Sequence, residues 1–578
     1  MPFSFEALRR FSLVALVLVQ PAASFAAQSQ RPVTFNRDIA PILYSRCATC
    51  HRPDGAAPFE LISYESAKRR ATQIAQVTRS RLMPPWKAEP GFGGPFVDQH
   101  PLTNSQIDLI DRWVKEGAIE GDARARPRVP SFPSGWQLGS PDQIVTLPEA
   151  YTLAADGTDI LRVFVIPIPA SSRRYVRGLE FRPGNASVIH HANIRIDRTP
   201  RSRELDAEDP EPGYEGLMAN SAMYPDGHFL GWTPGQVAPL LPKGLAWTLD
   251  PGTDLVVELH MQPTGKPESV APSFGFYYTN DPPSRTPAML RLGRQDIDIP
   301  AGDSEYTIND LYVLPVSVEI EAVQPHAHYR AREIQGVATL PDGTTRWLIQ
   351  IKDWDFRWQH VYRLEKPIEL PRGTVLSMRF VYDNSAANPR NPKRPPERAH
   401  WGQRSSDEMG NLWIQVQPRT DRDLEALNAD FRPKAAADDA SGYEMMLRSD
   451  PENVAYHNDA ALLYLELEQV PRAVSHFQAV TELRPRSAPA FFNLGTAYMR
   501  GSQLDNLDRA IKALRRSVEL DQNYVQARIN LGNVLAAQGA FEEAIDHYRR
   551  ALALDPDNAL VRDNLNRILA LSERRSRD

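Results

Sequence analysis

The stretch Gln324-Pro-His-Ala-His-Tyr329 lies in the middle of a 578-residue chain and places two imidazoles two positions apart. Side chains at positions i and i+2 of a β-strand point to the same face, so His326 and His328 could hold one metal ion together. Short apolar runs bounded by Pro, Gly or Asn recur around this stretch, at 161–166, 255–259 and 375–381. The region from 136 to 420 is therefore predicted to be built from β-sandwiches.

Three further histidines fall in the same region. His190 and His191 are adjacent, and His260 ends the apolar run 255–259. Adjacent residues of a regular strand face opposite ways, so His190 and His191 could share an ion only at a strand end, a bulge or a bend. A single such histidine is usually an ordinary hydrogen-bonded polar residue. Five of them in apolar strands favour metal binding.

The order of these motifs resembles the copper type II, ascorbate-dependent monooxygenases, which include the peptidylglycine and dopamine hydroxylases. After His190-His191 come Val257-Glu-Leu-His260, His326-Ala-His328 and Asp407-Glu-Met-Gly-Asn-Leu412. The resemblance implies two jelly-roll domains with one copper each, over 136–296 and 297–420. Its implied ligands are His190, His191 and His260 for the electron-transfer copper, and His326, His328 and Met409 for the catalytic copper. Imidazole suits both copper oxidation states, and a thioether favours Cu(I).

The resemblance also implies a reaction, the O₂-dependent hydroxylation of a C–H bond with one electron stored at each copper. Peptide-hydroxylating members carry an Arg two positions before the His-x-His motif and a Tyr four positions after the Met. This chain has Gln324 and Trp413 at those positions, which argues against a glycine-extended peptide and favours a different small organic substrate. Gln324, Asn411 and Trp413 are the expected residues of the substrate pocket.

The only two cysteines of the chain stand in Cys47-Ala-Thr-Cys-His51. Such a motif attaches haem c through both thiols, with His51 below the iron. Cys-x-x-Cys alone could be a redox dithiol or half a zinc site, but the following His favours haem. Met83 is the predicted sixth ligand, with His100 as the competitor. Residues 33–122 resemble a class I cytochrome c module, with helices predicted over 38–44 and 105–116 and a Thr103 cap.

The N-terminus has the pattern of an export signal. Arg9 and Arg10 precede the short apolar run 11–19, and small residues follow near 24–27. We expect a signal peptide over 1–27 and a periplasmic or otherwise exported protein, with an uncleaved anchor as the alternative. No later run approaches the ~20 apolar residues of a spanning helix, so no membrane span is expected in the mature chain. A net charge of −6 without a basic stripe argues against a nucleic-acid partner.

The C-terminal part, 446–578, is periodic and helical. Ala473, Ala510 and Ala544 occupy one repeat position, and Leu494-Gly495 corresponds to Leu531-Gly532. This part resembles three tetratricopeptide repeats with a closing helix over 558–572. Such repeats form a concave surface for a protein partner, although a stabilising appendage or a dimerisation surface is the alternative. His457, His476 and His547 are expected on helix surfaces.

The sequence thus predicts a multidomain chain. A small all-α cytochrome c domain precedes two all-β jelly-roll sandwich domains and a C-terminal α-helical tetratricopeptide solenoid, with linkers at 123–135 and 421–445. The predicted function is that of an exported copper monooxygenase with one covalent haem c and two coppers. An external donor would reduce the haem, which would pass electrons to the three-His copper. The alternatives are a non-catalytic copper and haem electron-transfer or redox-sensing protein, and a repeat scaffold whose β-domains have lost copper.

Overall fold

The computed structural model describes residues 31–53, 55, 57–97, 101–132, 135–157, 159–216, 218–219, 221–236, 238–501 and 505–575. The expected signal peptide and His100 lie outside these residues. The described chain forms a small helical unit, two β-sandwiches and a long helical array, in that order.

The N-terminal unit is helical. It begins with a π-helical turn, Phe35–Ile39, and ends with a 3₁₀ turn, Ala123–Ala125. Between them lie α1 (Ala40–Arg46), α2 (Tyr64–Arg69), α3 (Ala71–Arg79) and α4 (Asn104–Lys115). Both predicted helices are present. The Thr103 hydroxyl accepts from the Gln106 N–H and the Gln106 side chain accepts from the Thr103 N–H, which together cap α4.

The first sandwich consists of two four-stranded antiparallel sheets, β1-β10-β4-β7 and β3-β8-β5-β6, with a short ribbon of β2 and β9. Helix α5 (Arg201–Glu208) follows β5. The strands are β1 (Gln143–Thr146), β2 (Tyr151–Leu153), β3 (Ile160–Pro167), β4 (Arg174–Arg182), β5 (Ile189–Asp197), β6 (Gly231–Trp232), β7 (Trp247–Leu249), β8 (Asp254–Met261), β9 (Glu268–Val270) and β10 (Ser273–Thr279).

The second sandwich repeats this plan with sheets β11-β20-β14-β17 and β13-β18-β15-β16 and a ribbon of β12 and β19. Its strands are β11 (Ala288–Gly293), β12 (Asp298–Ile299), β13 (Tyr306–Val313), β14 (Val318–Ala327), β15 (Ala331–Thr339), β16 (Thr345–Ile351), β17 (Tyr362–Leu370), β18 (Val375–Tyr382), β19 (Ala399–His400) and β20 (Gly410–Pro418). Strand β11 pairs with β20 along its whole length. The second sandwich therefore begins before residue 288, earlier than the expected boundary at 296/297, which apolar strand patterns alone do not define.

The C-terminal array consists of antiparallel helices whose small residues allow close packing. Ala473, Ala510 and Ala544 are fully buried, as their shared repeat position predicts. Three helix pairs and a closing helix follow a long first helix, and within the described residues no helix is long and apolar enough to cross a bilayer. The helices are α6 (Asp421–Ser449), α7 (Val454–Glu466), α8 (Val470–Leu483), α9 (Ala488–Arg500), α10 (Asp505–Leu520), α11 (Val525–Ala537), α12 (Phe541–Leu554) and α13 (Ala559–Arg575).

Helix α6 occupies the segment 421–445 that the sequence led us to expect as a linker. Charged residues of α6 form ion pairs with the second sandwich. Asp439 pairs with Arg291 at 2.7 Å, and Lys434 pairs with Asp310 at 2.6 Å. The Phe431 ring packs edge-on against Tyr312, with centroids 5.0 Å apart. The segment looked like a linker because its side chains are polar. Their partners lie far away in the sequence, so the sequence does not show that these side chains are paired.

Histidine 476 also differs from expectation. It is 8% exposed, not on the helix surface, and its Nδ1 lies 2.9 Å from Nδ1 of His457. Its Nε2 faces Glu444 at 3.3 Å. The pair of rings is packed between α6, α7 and α8, which a repeat pattern read one helix at a time does not reveal.

The N-terminal helical unit is docked on the second sandwich through the segment that follows Met83. Phe96 forms an isolated bridge with Leu364 of β17, and the Trp86 ring meets Tyr362 edge-on at 5.1 Å. Lys87 pairs with Asp353 at 3.1 Å. The unit is therefore joined to the β-region by backbone and side-chain contacts.

Candidate metal centres and the cavity between the sandwiches

The His-x-His motif lies at the end of β14, where both rings face one cavity, as predicted. The ring centroids of His326 and His328 are 5.4 Å apart. Nδ1 of His326 donates to the Gln359 side-chain oxygen, and Nδ1 of His328 donates to the Asp407 carbonyl at 3.3 Å. Because the protein holds both Nδ1 atoms, each Nε2 is left as the donor for a metal ion.

Glu408 joins this motif to Met409. Its carboxylate is completely buried and accepts the backbone N–H groups of His328 at 2.5 Å, Arg330 at 2.9 Å and Met409 at 2.9 Å. Burial raises the pKa of Glu408 to about 7 in spite of these bonds. The sequence assigned this residue no role, because the residues directly before it, 403–407, are polar and nothing local marks its burial.

The first histidine group sits at an irregularity of β5. The register between β5 and β8 shifts between Ile189 and His191, which is one of the irregularities that would let adjacent side chains face the same site. The His260 ring centroid lies 5.2 Å from that of His190 and 4.9 Å from that of His191. The structure thus brings all three predicted side chains together.

Asp159 holds His260 in place. Nε2 of His260 donates to this carboxylate at 2.7 Å, while Nδ1 is buried without a hydrogen-bond partner. Ser405 of the second sandwich donates to the other carboxylate oxygen at 2.8 Å. A carboxylate on one ring nitrogen with the other nitrogen free is the usual support of a metal-binding histidine. Nothing in the sequence around Asp159 singled it out.

The buried rings are neutral at ordinary pH. Burial lowers the pKa of His191 and His328 well below their usual value and that of His326 to about 4. Neutral imidazole is the form that binds metal. The Phe356 ring lies between the two groups, with centroids 5.3 Å from His260 and 5.2 Å from His328.

The donor types fit copper, although the rings are not fully converged. Within the described residues, no group of three or more His, Cys, Asp and Glu side chains is arranged to hold a metal ion as it stands. The orphaned Nδ1 of His260 and the Nε2 atoms of His326 and His328 are the available nitrogens. This absence concerns the three-His group alone, because the second group consists of two histidines and a methionine.

A cavity of about 650 Å³ lies between the two sandwiches. It is lined by His191 of the first group together with His326, His328 and Met409, and helix α6 forms another wall. The three expected pocket residues also line it. In the pairing of β14 with β20, His326 stands opposite Asn411 and Gln324 stands opposite Trp413.

The haem motif lies at the end of α1. Cys47 and Cys50 are unpaired, and burial raises the pKa of Cys47 to about 12. Nδ1 of His51 donates to the Phe59 carbonyl at 3.0 Å, which leaves Nε2 for a metal. The Cys50 sulfur lies against Gly235 of the first sandwich, where a Cβ atom would come within 2.2 Å of it. These donors fit covalent haem.

Comparison with known protein families assigns two parts of the chain. Residues 305–426 match the copper type II ascorbate-dependent monooxygenase, C-terminal domain. Residues 458–506 and 525–558 match tetratricopeptide repeats. The second sandwich is therefore a domain of the copper monooxygenase class, and the helical array contains the predicted repeats.

Individual relatives cover small parts of the chain. Hydrazine synthase subunit alpha from Kuenenia stuttgartiensis is 32% identical over 118 residues, which is 20% of this chain and 13% of that protein. The crystal structure of MamA protein is 24% identical over 23% of this chain and 72% of its own, with a TM-score of 0.22. The Arabidopsis OM64 TPR domain is 19% identical over 20% of this chain and 94% of its own, with a TM-score of 0.19.

Proposed function

We propose that this chain is an exported, haem c-containing dicopper monooxygenase that hydroxylates a C–H bond of a small organic substrate with O₂. The observation that carries the proposal is the shared cavity, because His191 of one sandwich and His326, His328 and Met409 of the other line the same space. A copper monooxygenase domain match over 305–426 supports the reaction class. Copper bound to these residues would supply the activation of O₂.

The residues around the cavity have distinct tasks in this proposal. Gln359 and Asp407 orient the rings of His326 and His328, and Glu408 keeps Met409 beside them. Asp159 orients His260. The cavity walls from both sandwiches and α6 would exclude water around the substrate.

Haem attached at Cys47 and Cys50 would transfer electrons one at a time. His51 and Met83 would be the ligands of its iron. The segment after Met83 supports a link to the second histidine group, because the His360 Nε2 donates to the Pro85 carbonyl at 3.0 Å. The residue directly before His360, Gln359, binds His326. These contacts favour electron entry beside His326, in place of the three-His group that the sequence led us to expect.

The test uses the full chain loaded with copper. The haem is reduced without oxygen, O₂ is then added with a panel of small C–H substrates, and haem reoxidation and ¹⁸O incorporation are followed. We expect reoxidation that depends on substrate, one oxygen atom in the product, and two coppers and one haem iron per chain.

The comparison variant is Met409→Ala, which removes the thioether ligand but leaves the haem motif intact. If the haem of the natural chain reoxidises no faster than that of Met409→Ala, the coupling is wrong. If both metals are bound and reoxidation is fast but no substrate yields a hydroxylated product, the chain is an electron-transfer protein.

A further inference from the structure

The arginines of the cavity are not equivalent. Four of them line it: Arg195, Arg198, Arg291 and Arg432. Three of the four are neutralised by a carboxylate, in the pairs Arg198–Asp226 at 3.1 Å, Arg291–Asp439 at 2.7 Å and Arg432–Glu466 at 2.6 Å. A paired arginine has little remaining affinity for an incoming anion.

Arg195 is the exception. No carboxylate of the described residues lies within the 4.0 Å that defines an ion pair with it. Its Nη1 donates to the Ala222 carbonyl at 3.3 Å, and its Nε is buried without a hydrogen-bond partner. The Arg195 side chain is half-buried and also bonds Tyr224, but no carboxylate neutralises it, so the cavity offers one positive charge without a counter-ion.

Asn411 lines the same cavity. It is 8% exposed, and its Oδ1 is buried without a hydrogen-bond partner. The residue opposite on β11 is Gly293, which places no side chain beside it, and the residue opposite on β14 is His326. The amide oxygen lies against Gly293, where a Cβ atom would come within 2.4 Å of it, so it faces the strand and not the cavity. Asn411 therefore marks the end of the cavity next to the metal-binding histidine without accepting from a ligand.

An aromatic surface connects these two groups. The Trp413 ring has the Arg195 guanidinium at 5.8 Å and the Tyr224 ring edge-on at 5.5 Å. Trp413 and Asn411 are two positions apart on β20, so they share a face about 7 Å apart along the strand. A small molecule can thus lie across Trp413 with one end near Arg195 and the other near His326.

We propose that the cavity binds a small organic acid. Its carboxylate pairs with Arg195, and its planar or apolar part lies on Trp413. The one free carboxylate of the lining, Glu258, already accepts the Asn193 amide at 2.7 Å, which leaves it less suited to an incoming cation. The inference rests on the proposed function, because it names the substrate class of the same cavity.

The test measures equilibrium binding to the metal-free full chain by titration calorimetry, so it does not depend on turnover. The probes are mandelate, which has a carboxylate, a hydroxyl and a ring, its neutral analogue mandelamide, and the cation 2-phenylglycinol. We expect mandelate to bind at least about tenfold more tightly than either analogue, since a charge-assisted bond to a desolvated group is worth roughly that factor.

Two variants locate the anion site. Arg195→Gln should weaken mandelate binding about tenfold or more and abolish the preference over mandelamide, whereas Arg195→Lys should retain the preference. The matched control is Arg198→Gln, which removes another arginine of the lining that is already paired with Asp226. It should change mandelate affinity by less than about threefold.

The inference is overturned if mandelate does not bind, if either analogue binds as tightly, or if Arg198→Gln weakens binding as much as Arg195→Gln. Loss of binding in both Arg195 variants alike also overturns it, because charge would then not be what the site recognises. Anion binding without any hydroxylated product would support this inference and contradict the proposed function. Hydroxylation of neutral or cationic substrates alone would do the reverse.

Discussion

The two sandwiches present their histidines to the cavity region by different means. In the first sandwich, His190 and His191 share a bulge of β5, and one carboxylate, that of Asp159, supports His260. In the second, His326 and His328 stand at the end of β14, well past its irregularity at Ile320–Ala322, and a buried Glu408 ties them to a loop that carries Met409. The first group is thus held mainly by the sheet, and the second mainly by hydrogen bonds between segments far apart in sequence.

This difference predicts which changes will affect each group. A group built on sheet pairing tolerates the loss of a supporting side chain, because the strands still bring the rings together. A group assembled by one buried carboxylate loses its geometry when that carboxylate is changed. Three experiments test whether the two groups differ in this way.

The largest effect is expected for Glu408→Gln. The amide cannot accept all three N–H groups that the carboxylate accepts, so the free energy of unfolding of the second sandwich should fall by about 2–4 kcal/mol. Urea unfolding at pH 8, above the pKa of Glu408, measures this. The control is Glu369→Gln on β17, whose side chain is 71% exposed. A loss below about 0.5 kcal/mol would show that Glu408 does not hold the second group together.

An acid-dependent effect should come from His228, which belongs to neither group and lies at the junction of the sandwiches. Burial lowers the pKa of His228 to about 4, from 6.5 in the unfolded chain. Between these values the unfolded state binds the proton more readily, so stability is lost as pH falls from 6.5 to 4. The loss due to His228 alone is about 3 kcal/mol.

His228→Gln should therefore show a shallower decline in urea-unfolding free energy between pH 6.5 and 4. The control is Leu311→Gln, at a residue that is 58% exposed and carries no titratable group, and it should leave the decline unchanged. If the unfolding free energy of His228→Gln falls as steeply with pH as that of the natural chain, the acid sensitivity comes from the two histidine groups and not from His228.

The smallest effect is expected for Asp159→Ala. Loss of a hydrogen-bonded support typically weakens metal affinity about 10–100-fold, so Cu(I) binding at the three-His group should weaken by that factor. Affinity at His326, His328 and Met409 should not change. Competition titrations with a Cu(I) chelator measure both sites, and Asp156→Ala, at an exposed aspartate, is the control. Weakening of both sites together would mean that the groups are not independent.

Much of the fold could be predicted from local patterns. Apolar runs predicted strands β3, β8 and β18, and the repeated alanines predicted the paired helices of the C-terminal array. The spacing of His326 and His328 predicted one shared face, and the adjacency of His190 and His191 required a strand end, a bulge or a bend, of which the structure has the bulge. Each of these inferences depends only on the periodicity of one element.

The errors have a different physical origin. The segment 421–445 was expected to be a linker because its side chains are polar, but Lys434 and Asp439 find their partners in the second sandwich. Strand β11 was assigned to the wrong sandwich because its partner β20 lies more than a hundred residues later. Composition indicates whether a residue needs a partner and does not indicate where that partner is.

The types and order of the candidate ligands can be derived from the residues alone, because residue chemistry and strand periodicity are local properties. Which groups share the cavity depends on how the two sandwiches and α6 pack together. Arg195 remains unpaired beside Trp413, while Arg291 is neutralised by a helix more than a hundred residues away. Asp159 and Glu408 became visible as supports only through contacts with His260 and His328. Whether a charged side chain has a partner of opposite charge depends on distances in space. The spacing of residues along the chain does not specify those distances.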